Sequence, residues 1–399
     1  GVYVMNFIFI SPTFPEQYYQ FPRAVKEQGI RTLGIAEDPW ENLSENLKNS
    51  LDEYYRVNSL ENYDEVYRAV AYFAHKYGKI DWLESNNEYW LEQDAKLRTD
   101  FNITSGAKTE DLAGFKFKSG MKAYYEAAGV PVARYHLVNT YEEGKKFVDE
   151  VGYPVVVKPD NGVGANATYK LKNDEDLKNF YDKGWNTQYI MEEFVNGELM
   201  SFDGIAGPNS EIVFQISHYF PQQIMDVVND AGEVFYYTQT PIPANLEKAG
   251  KATIASFKPR SRFFHCEFFR LREAKKGLGE VGDIVGLEVN MRPPGGYTPD
   301  MMNYACDIDV YRIYAQMIAK GSAEYTTDRP YICCYTGRRD GVEYKYTNEE
   351  VKAKYGDKMC MSLRMPDLIG VAMGNYNNMA RFKTTEEMNE FIKFVFERK

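Results

Sequence analysis

Two short strands of this chain hold the side chains best suited to chemistry. In Gly286–Gly296 a period-two reading puts Glu288, Asn290 and Arg292 on one face and Leu287, Val289 and Met291 on the other. A carboxylate, an amide oxygen and a fixed guanidinium aimed one way suit a divalent cation bridging phosphates, with the arginine on a phosphate or carboxylate oxygen. An edge strand with an ordinary polar surface would read the same from this stretch alone. Arg262–Leu271 reads as a second strand and 272–283 as the loop between the two. An antiparallel hairpin centred on Gly277 and Leu278 then sets Glu267 directly opposite Glu288. Cross-strand Cβ atoms lie about 4.5–5.5 Å apart. Carboxylates held so close repel unless a cation lies between them or one keeps its proton. Glu267, Glu288 and Asn290 are therefore the expected ligands of Mg²⁺ or Mn²⁺, completed by phosphate oxygens and water. The same period places His265 on the face of Glu267, near a substrate. Arg260 and Arg262 are further candidates for holding a substrate carboxylate.

A phosphate needs a loop and a cation. Asn161, Gly162, Val163 and Gly164 open a glycine-bearing turn between two strand-like runs, and Lys158 stands at the end of the first run. Glycines let backbone N–H groups close over phosphate oxygens, and the lysine supplies charge, although a plain hairpin with a surface lysine fits equally well. Gly277–Gly282 matches GxGxxG by letter, but the dinucleotide motif requires a strand before it and a helix after it. Here a strand-like run follows, so this stretch reads as the hairpin loop. No GxxxxGK[ST] occurs. In Glu192–Glu198, an extended Glu193-Phe194-Val195 can offer backbone groups to an adenine edge, and Glu198 can accept ribose hydroxyls. Glu88 follows a strand-like run at Lys79–Leu83, where ligands gather in open α/β sheets.

These groups need elements to hold them. A strand at Asn6–Ile10, a helix around Tyr18–Gln28 and a strand at Arg31–Ile35 predict a βαβ opening and a parallel sheet. Helices are expected at Glu65–Lys76, Ser119–Ala128, Leu177–Tyr181 and Asp309–Ala319. Thr140-Tyr141-Glu142-Glu143 forms a capping-box pattern opening another. Strands are expected at Tyr153–Lys158, Ala167–Leu171 and Tyr189–Met191, and Leu199–Met291 reads as mostly strand. After Tyr325 strands and helices mix, and the last helix is capped by Thr384-Thr385-Glu386-Glu387. With 58 acidic against 47 basic residues and a formal charge of −11, the balance disfavours nucleic acid as a partner. Five cysteines without a CxxC pair point to free thiols and a reducing, cytoplasmic setting. No apolar run approaches the roughly 18 residues of a membrane span.

Taken in order, these segments resemble the ATP-grasp superfamily, the ligase fold of biotin carboxylase, D-alanine–D-alanine ligase and carbamoyl-phosphate synthetase. The resemblance runs from about Asn6 to Asp309. Lys118, a helix and then Ala128-Gly129-Val130-Pro131 match the family's first phosphate lysine, and Val155–Pro159 matches the strand of the second, Lys158. Asn161–Asn166 matches the glycine-rich lid and Glu192–Val195 the adenine hinge. Glu198 matches the ribose carboxylate, Glu267, Glu288 and Asn290 the metal ligands, and Arg292 the catalytic arginine. Biotin carboxylase's Glu and His after that arginine are absent, and Pro293–Asp300, with Gly295 and Gly296, looks more like the glycine-containing loop of dipeptide-forming amino-acid ligases. The resemblance implies a mixed α/β and α+β architecture: a Rossmann-like domain over 1–105, a small ATP-grasp subdomain over 106–195, a large one over 196–320, and a C-terminal α+β unit over 321–399. It also implies ATP and Mg²⁺ or Mn²⁺ as cofactors, and small carboxylate and amine substrates joined through an acyl phosphate. A homodimer is compatible with it. Carboxylation or carbamoylation through bicarbonate is the second enzymatic expectation, and a non-catalytic ATP-binding protein the third.

Overall fold

The structure, a computed structural model, describes residues 2–162, 167–221 and 232–399. Its first sheet is parallel, with order β3-β2-β1-β4, built from β1 (Asn6–Ile10), β2 (Arg31–Ala36), β3 (Glu53–Arg56) and β4 (Trp82–Glu84). β1 is buried on both faces, as a continuous apolar run in a parallel sheet should be. Phe7 and Phe9 pack with Phe21 on one side, and Ile8 and Ile10 with Val70 and Phe73 on the other. β4 leaves Glu84, Ser85, Asn86 and Glu88 at its carboxyl end, beside the point where the strand order reverses.

A second sheet is small and antiparallel, with order β5-β8-β6-β7: β5 (Tyr135–Leu137), β6 (Val155–Pro159), β7 (Tyr169–Leu171) and β8 (Tyr189–Glu193). Val155 and Val157 pack under the helices Tyr141–Val151 and Asp174–Lys183. Alternation therefore turns Val156 and Lys158 to the opposite face.

The third sheet has eight strands, ordered β13-β12-β9-β10-β11-β14-β16-β15, and every pairing in it is antiparallel. Its strands are β9 (Gly197–Ala206), β10 (Ile212–Phe220), β11 (Val234–Gln239), β12 (Arg262–Leu271), β13 (Ile284–Asn290), β14 (Ile332–Arg338), β15 (Met359–Arg364) and β16 (Tyr376–Phe382). The tail after Tyr325 thus adds three strands to the same sheet, and the helix Thr385–Phe396 packs beside them. Met200, Phe202, Phe264, Cys266 and Phe268 fill one core beneath the sheet, while Ser201, Asp203, His265 and Glu267 occupy the other face.

Two expectations need correction. The stretch Leu199–Met291 is not mostly strand, because Ala244–Phe257 is a helix of 14 residues packed on the helix Lys118–Ala127. Its buried positions, Leu246, Gly250, Thr253, Ile254 and Phe257, follow helical spacing, but small residues among them mute the apolar signal. Leu287 does not share a core with Val289 and Met291. A β-bulge follows Glu267, so Leu287 faces no partner in register and packs beside Val195 and Phe269 instead.

The parallel sheet is tied to the large sheet by buried charge. Glu84 Oε1 lies 2.8 Å from Arg262 Nη1 and 3.1 Å from Arg98 Nη2, and all three side chains are buried. Arg262 Nε donates to the Met291 carbonyl at 2.7 Å, so this arginine also pins the end of β13. Two of its guanidinium nitrogens are thereby engaged by the scaffold. Replacing Glu84 by Gln leaves two buried guanidiniums without their anion and should lower stability by about 3–5 kcal/mol in a denaturant titration.

Candidate functional site

The hairpin predicted from sequence is present where chemistry needs it. Glu267 pairs in register with Glu288, and His265 with Asn290. The GxGxxG look-alike is the connecting loop, with positive φ at Gly277, Gly279 and Gly282 and no helix behind it. Burial, then the facing Glu288, pushes the Glu267 carboxyl up to about 7. Burial also opposes charge on Glu288. There Lys118, the bond to Glu267 and Lys158 outweigh it and hold the carboxyl well below the usual carboxylate range. The pair therefore carries one firm negative charge and one that titrates near neutrality.

Lys118 reaches this pair from the first residue of the helix Lys118–Ala127. Asp160, just past β6, receives that helix end: its carbonyl accepts from Lys118 N at 2.9 Å and its carboxylate from Ser119 N at 2.8 Å and Ser119 Oγ at 2.7 Å. Tyr125, further along the helix, lies against Gly286, where an added Cβ would sit 2.6 Å from the ring. Only glycine permits that close approach. Lys118 Nζ accordingly lies 3.3 Å from Glu288 Oε2 and donates to the Gly162 carbonyl at 2.6 Å. Asn161 Nδ2 bonds Glu92 at 2.8 Å. Val163 and Gly164 lie outside the described residues.

Glu192 and Glu193 differ from expectation, since both side chains are held by protein cations. Lys158 Nζ lies 2.6 Å from Glu192 Oε1, and Lys122 binds its other oxygen. Burial opposes that charge too, but the two lysines hold Glu192 at about 2. Glu193, on the opposite face of β8, is bound by Arg134 at 2.9 Å and Lys275 at 3.4 Å. A hinge contact to a ligand could come only from backbone here. Even so, Lys275 Nζ already donates to the Phe194 carbonyl, and Lys170 stands 4.0 Å over the Phe194 ring. Val195 lies in an apolar cluster with Leu199, Phe269 and Val285, and Glu198 accepts from Tyr219 Oη at 3.0 Å.

Arg292 and Glu88 come together, with Nε 3.4 Å from Oε2. Arg292 also donates to Asn290 Oδ1 at 3.3 Å and to the Pro293 carbonyl at 3.1 Å. Lys116 adds a second cation 3.7 Å from Glu88. Gly296 has φ +61°, and its carbonyl accepts from Gln17 at 2.9 Å, while the Gly295 carbonyl accepts from Thr298 Oγ1 at 2.8 Å. His265 stands with Nε2 3.7 Å from Glu267 Oε1. Burial disfavours its charge, but Asp203 and Glu267 raise it to about 9.

Sequence reading missed Lys122, Asp160 and Asp203. Lys122 is four residues after Lys118, hence on the same helix face. Asp160 directly follows Lys158-Pro159, whereas Asp203 carries no local signal. Among the described residues no three His, Cys, Asp or Glu side chains form a ready cation cage. Two carboxylates and an amide oxygen fit a Mg²⁺-type ion that takes its remaining oxygens from phosphate and water. The depressed carboxyl of Glu192 stabilises the fold above its ordinary value of 4.5, and that contribution is lost as pH falls through 4.5 toward about 2. Glu192→Gln should remove this acid limb from a stability–pH profile and cost about 3–5 kcal/mol at neutral pH, read by thermal or denaturant unfolding.

Known proteins carry the same framework. The family model for the carbamoyl-phosphate synthase L chain, ATP binding domain, matches residues 116–199. The L-arginine-specific L-amino acid ligase of Bacillus subtilis is 23% identical over 219 residues, covering 53% of each chain. D-alanine–D-alanine ligase B of Clostridium perfringens is 32% identical over 108 residues, 26% of this chain and 36% of that one. The chain thus spans about half or less of the length of these relatives. Among solved structures, the L-amino acid ligase from Bacillus licheniformis superposes with a TM-score of 0.73 at 14% identity, covering 98% of this chain and 97% of that one. N5-carboxyaminoimidazole synthetase from Staphylococcus aureus, complexed with ADP, gives 0.70 at 13% identity over 98% and 97%. Near-complete coverage at such low identity shows architecture: the chain has the ATP-grasp fold, and within it residues 116–199 match the family model of the carbamoyl-phosphate synthase L chain, ATP binding domain.

Proposed function

We propose that this chain is an ATP-dependent ligase that joins a small carboxylate to an amine through an acyl phosphate. The observation that carries the reading is the Glu267–Glu288 pair, one carboxyl buried and the other half-buried, set in register and flanked by Lys118. Phosphoryl transfer needs positioning and charge neutralisation more than a protein nucleophile. Lys158 and Lys118 face the γ-phosphate side, and the backbone of Glu193–Val195 and the side chain of Glu198 receive the nucleoside. Glu267, Glu288 and Asn290 would hold Mg²⁺ or Mn²⁺, which would supply neutralisation of the negative charge on phosphate.

The substrate carboxylate oxygen attacks the γ-phosphorus while the bond to the departing ADP oxygen breaks. The amine then attacks the acyl carbon, the carbon–oxygen bond to phosphate breaks, and the amine loses its proton. Arg292, held between Glu88 and the Pro293 carbonyl, stabilises negative charge on the phosphate and on the oxygen of the tetrahedral intermediate. Glu88, His265 and the Gly295-Gly296 turn line the substrate side. The L-amino acid ligase relatives favour amino acids as both substrates. Small molecules, not nucleic acid or membrane, are the partners this acidic chain suits, and no helix among the described residues is long and apolar enough to cross a membrane. Its five cysteines, four of them buried, are free thiols, in keeping with a reducing, cytoplasmic setting.

A phosphate-release screen over pairs of amino acids with Mg²⁺, with products identified by mass, tests this directly. Release should require both substrates, and the product mass should equal the two substrates less water. Release that depends on bicarbonate instead would make the chain a carboxylase-type enzyme, and no release with any carboxylate would sink the ligase reading. Arg292→Ala should lower kcat on the order of 10²–10³-fold, as loss of a preorganised charge-stabilising group does. Glu288→Gln should abolish turnover at ordinary Mg²⁺ concentrations, and its full retention would refute the ligand assignment.

A further inference from the structure

The face of the large sheet that carries Glu267 and Glu288 also holds a buried polar group which the reaction above does not use. Asp203 lies directly opposite His265 in the β9–β12 ladder, and Ser201 lies opposite both Glu267 and, in the β9–β10 ladder, His218. Asp203 and His218 are fully buried. The Asp203 carboxylate is bound from two sides, with Oδ1 2.6 Å from His265 Nδ1 and Oδ2 2.6 Å from His218 Nδ1. Ser201 Oγ donates to the same Oδ2 at 2.5 Å. A carboxylate only accepts, so both Nδ1 atoms must carry their protons and both rings are fixed in orientation. His265 is thereby held with Nε2 toward Glu267 Oε1, 3.7 Å away. His218 Nε2 has no hydrogen-bond partner among the described residues, so this ring's contact in the cluster is with Asp203.

An aspartate anchored twice is stiffer than one anchored once. Glu267 needs that stiffness, because the strand backbone alone does not fix its side-chain rotamer. We propose that Asp203, braced by His218 and Ser201, is a positioning residue for the cation site: through His265 it holds Glu267 in the rotamer that faces Glu288. The proposal rests on the assignment of Glu267 and Glu288 as cation ligands. It assigns no contact between Asp203 and substrate, nucleotide or cation.

The test is Mn²⁺ affinity of the full chain, measured by electron paramagnetic resonance with a non-hydrolysable ATP analogue present. Asp203→Asn keeps the shape, but its amide nitrogen opposes one of the two Nδ1–H donors, so one ring must turn. Its Mn²⁺ affinity should fall by about tenfold, the lower end of what loss of an outer-shell partner costs. In turnover the cation concentration giving half-maximal rate should rise by a similar factor, while kcat at saturating cation stays within about twofold. His218→Asn, which keeps a donor near the Nδ1 position, should bind Mn²⁺ like the wild type, and His218→Leu should bind more weakly. The histidine variants keep the proposal falsifiable if Asp203→Asn does not fold.

A merely structural cluster would behave differently. It would lower the melting temperature of Asp203→Asn and His218→Leu but leave the Mn²⁺ affinity of the folded protein unchanged, and that result overturns the proposal. The underlying ligand assignment is read separately. If Glu288→Gln binds Mn²⁺ as tightly as the wild type, that assignment fails and the proposal with it. If Glu288→Gln loses Mn²⁺ while Asp203→Asn does not, only the proposal fails.

Discussion

Two carboxylates placed face to face, one buried and one half-buried, set the terms for everything around them. At about 4 Å and an effective dielectric of about 20, like charges repel by roughly 4 kcal/mol, and burial adds a penalty for each charge. The ladder of β12 and β13 sets Glu267 and Glu288 opposite each other. The neighbourhood compensates. Lys118 stands against Glu288, Lys158 contributes from the small sheet, and His265 flanks Glu267.

The cations come from separate parts of the chain, so their convergence depends on how the elements dock. The helix Lys118–Ala127 is the joint. One turn separates Lys118, directed at Glu288 in the large sheet, from Lys122, directed at Glu192 in the small one. Asp160 caps the start of this helix from the end of β6, and Tyr125 rests on Gly286. This helix is therefore one link between the two sheets, beside the contact of Lys275 with Glu193. Moving it would separate both lysines from their carboxylates at once.

The parallel sheet is fastened with the same economy of parts. Glu84 at the end of β4 is shared by Arg98 and Arg262, and Arg262 extends to the carbonyl of Met291, next to Arg292. Arg292 in turn meets Glu88, four residues beyond Glu84. Two contacts thus join the end of β4 and the segment after it to the end of β13. This brings a strand end from the first sheet beside the hairpin that carries Glu267 and Glu288.

Sequence by itself determined a good part of this. The alternation of Glu288, Asn290 and Arg292, the hairpin that opposes Glu267 to Glu288, and the βαβ opening all follow from local periodicity and turn chemistry, and all are present. The rejection of Gly277–Gly282 as a dinucleotide motif likewise needed only its neighbours along the chain. Tertiary structure decided what periodicity cannot express. The bulge that turns Leu287 away, the helix at Ala244–Phe257 and the capture of Glu192 by Lys122 depend on partners distant in sequence. So does the grouping of Asp203 with two histidines from different strands. Backbone pattern is a property of consecutive residues and can be read from them. The pairing of buried charges is settled only when separate elements exclude water together, because only then does an unpaired charge become too costly to keep.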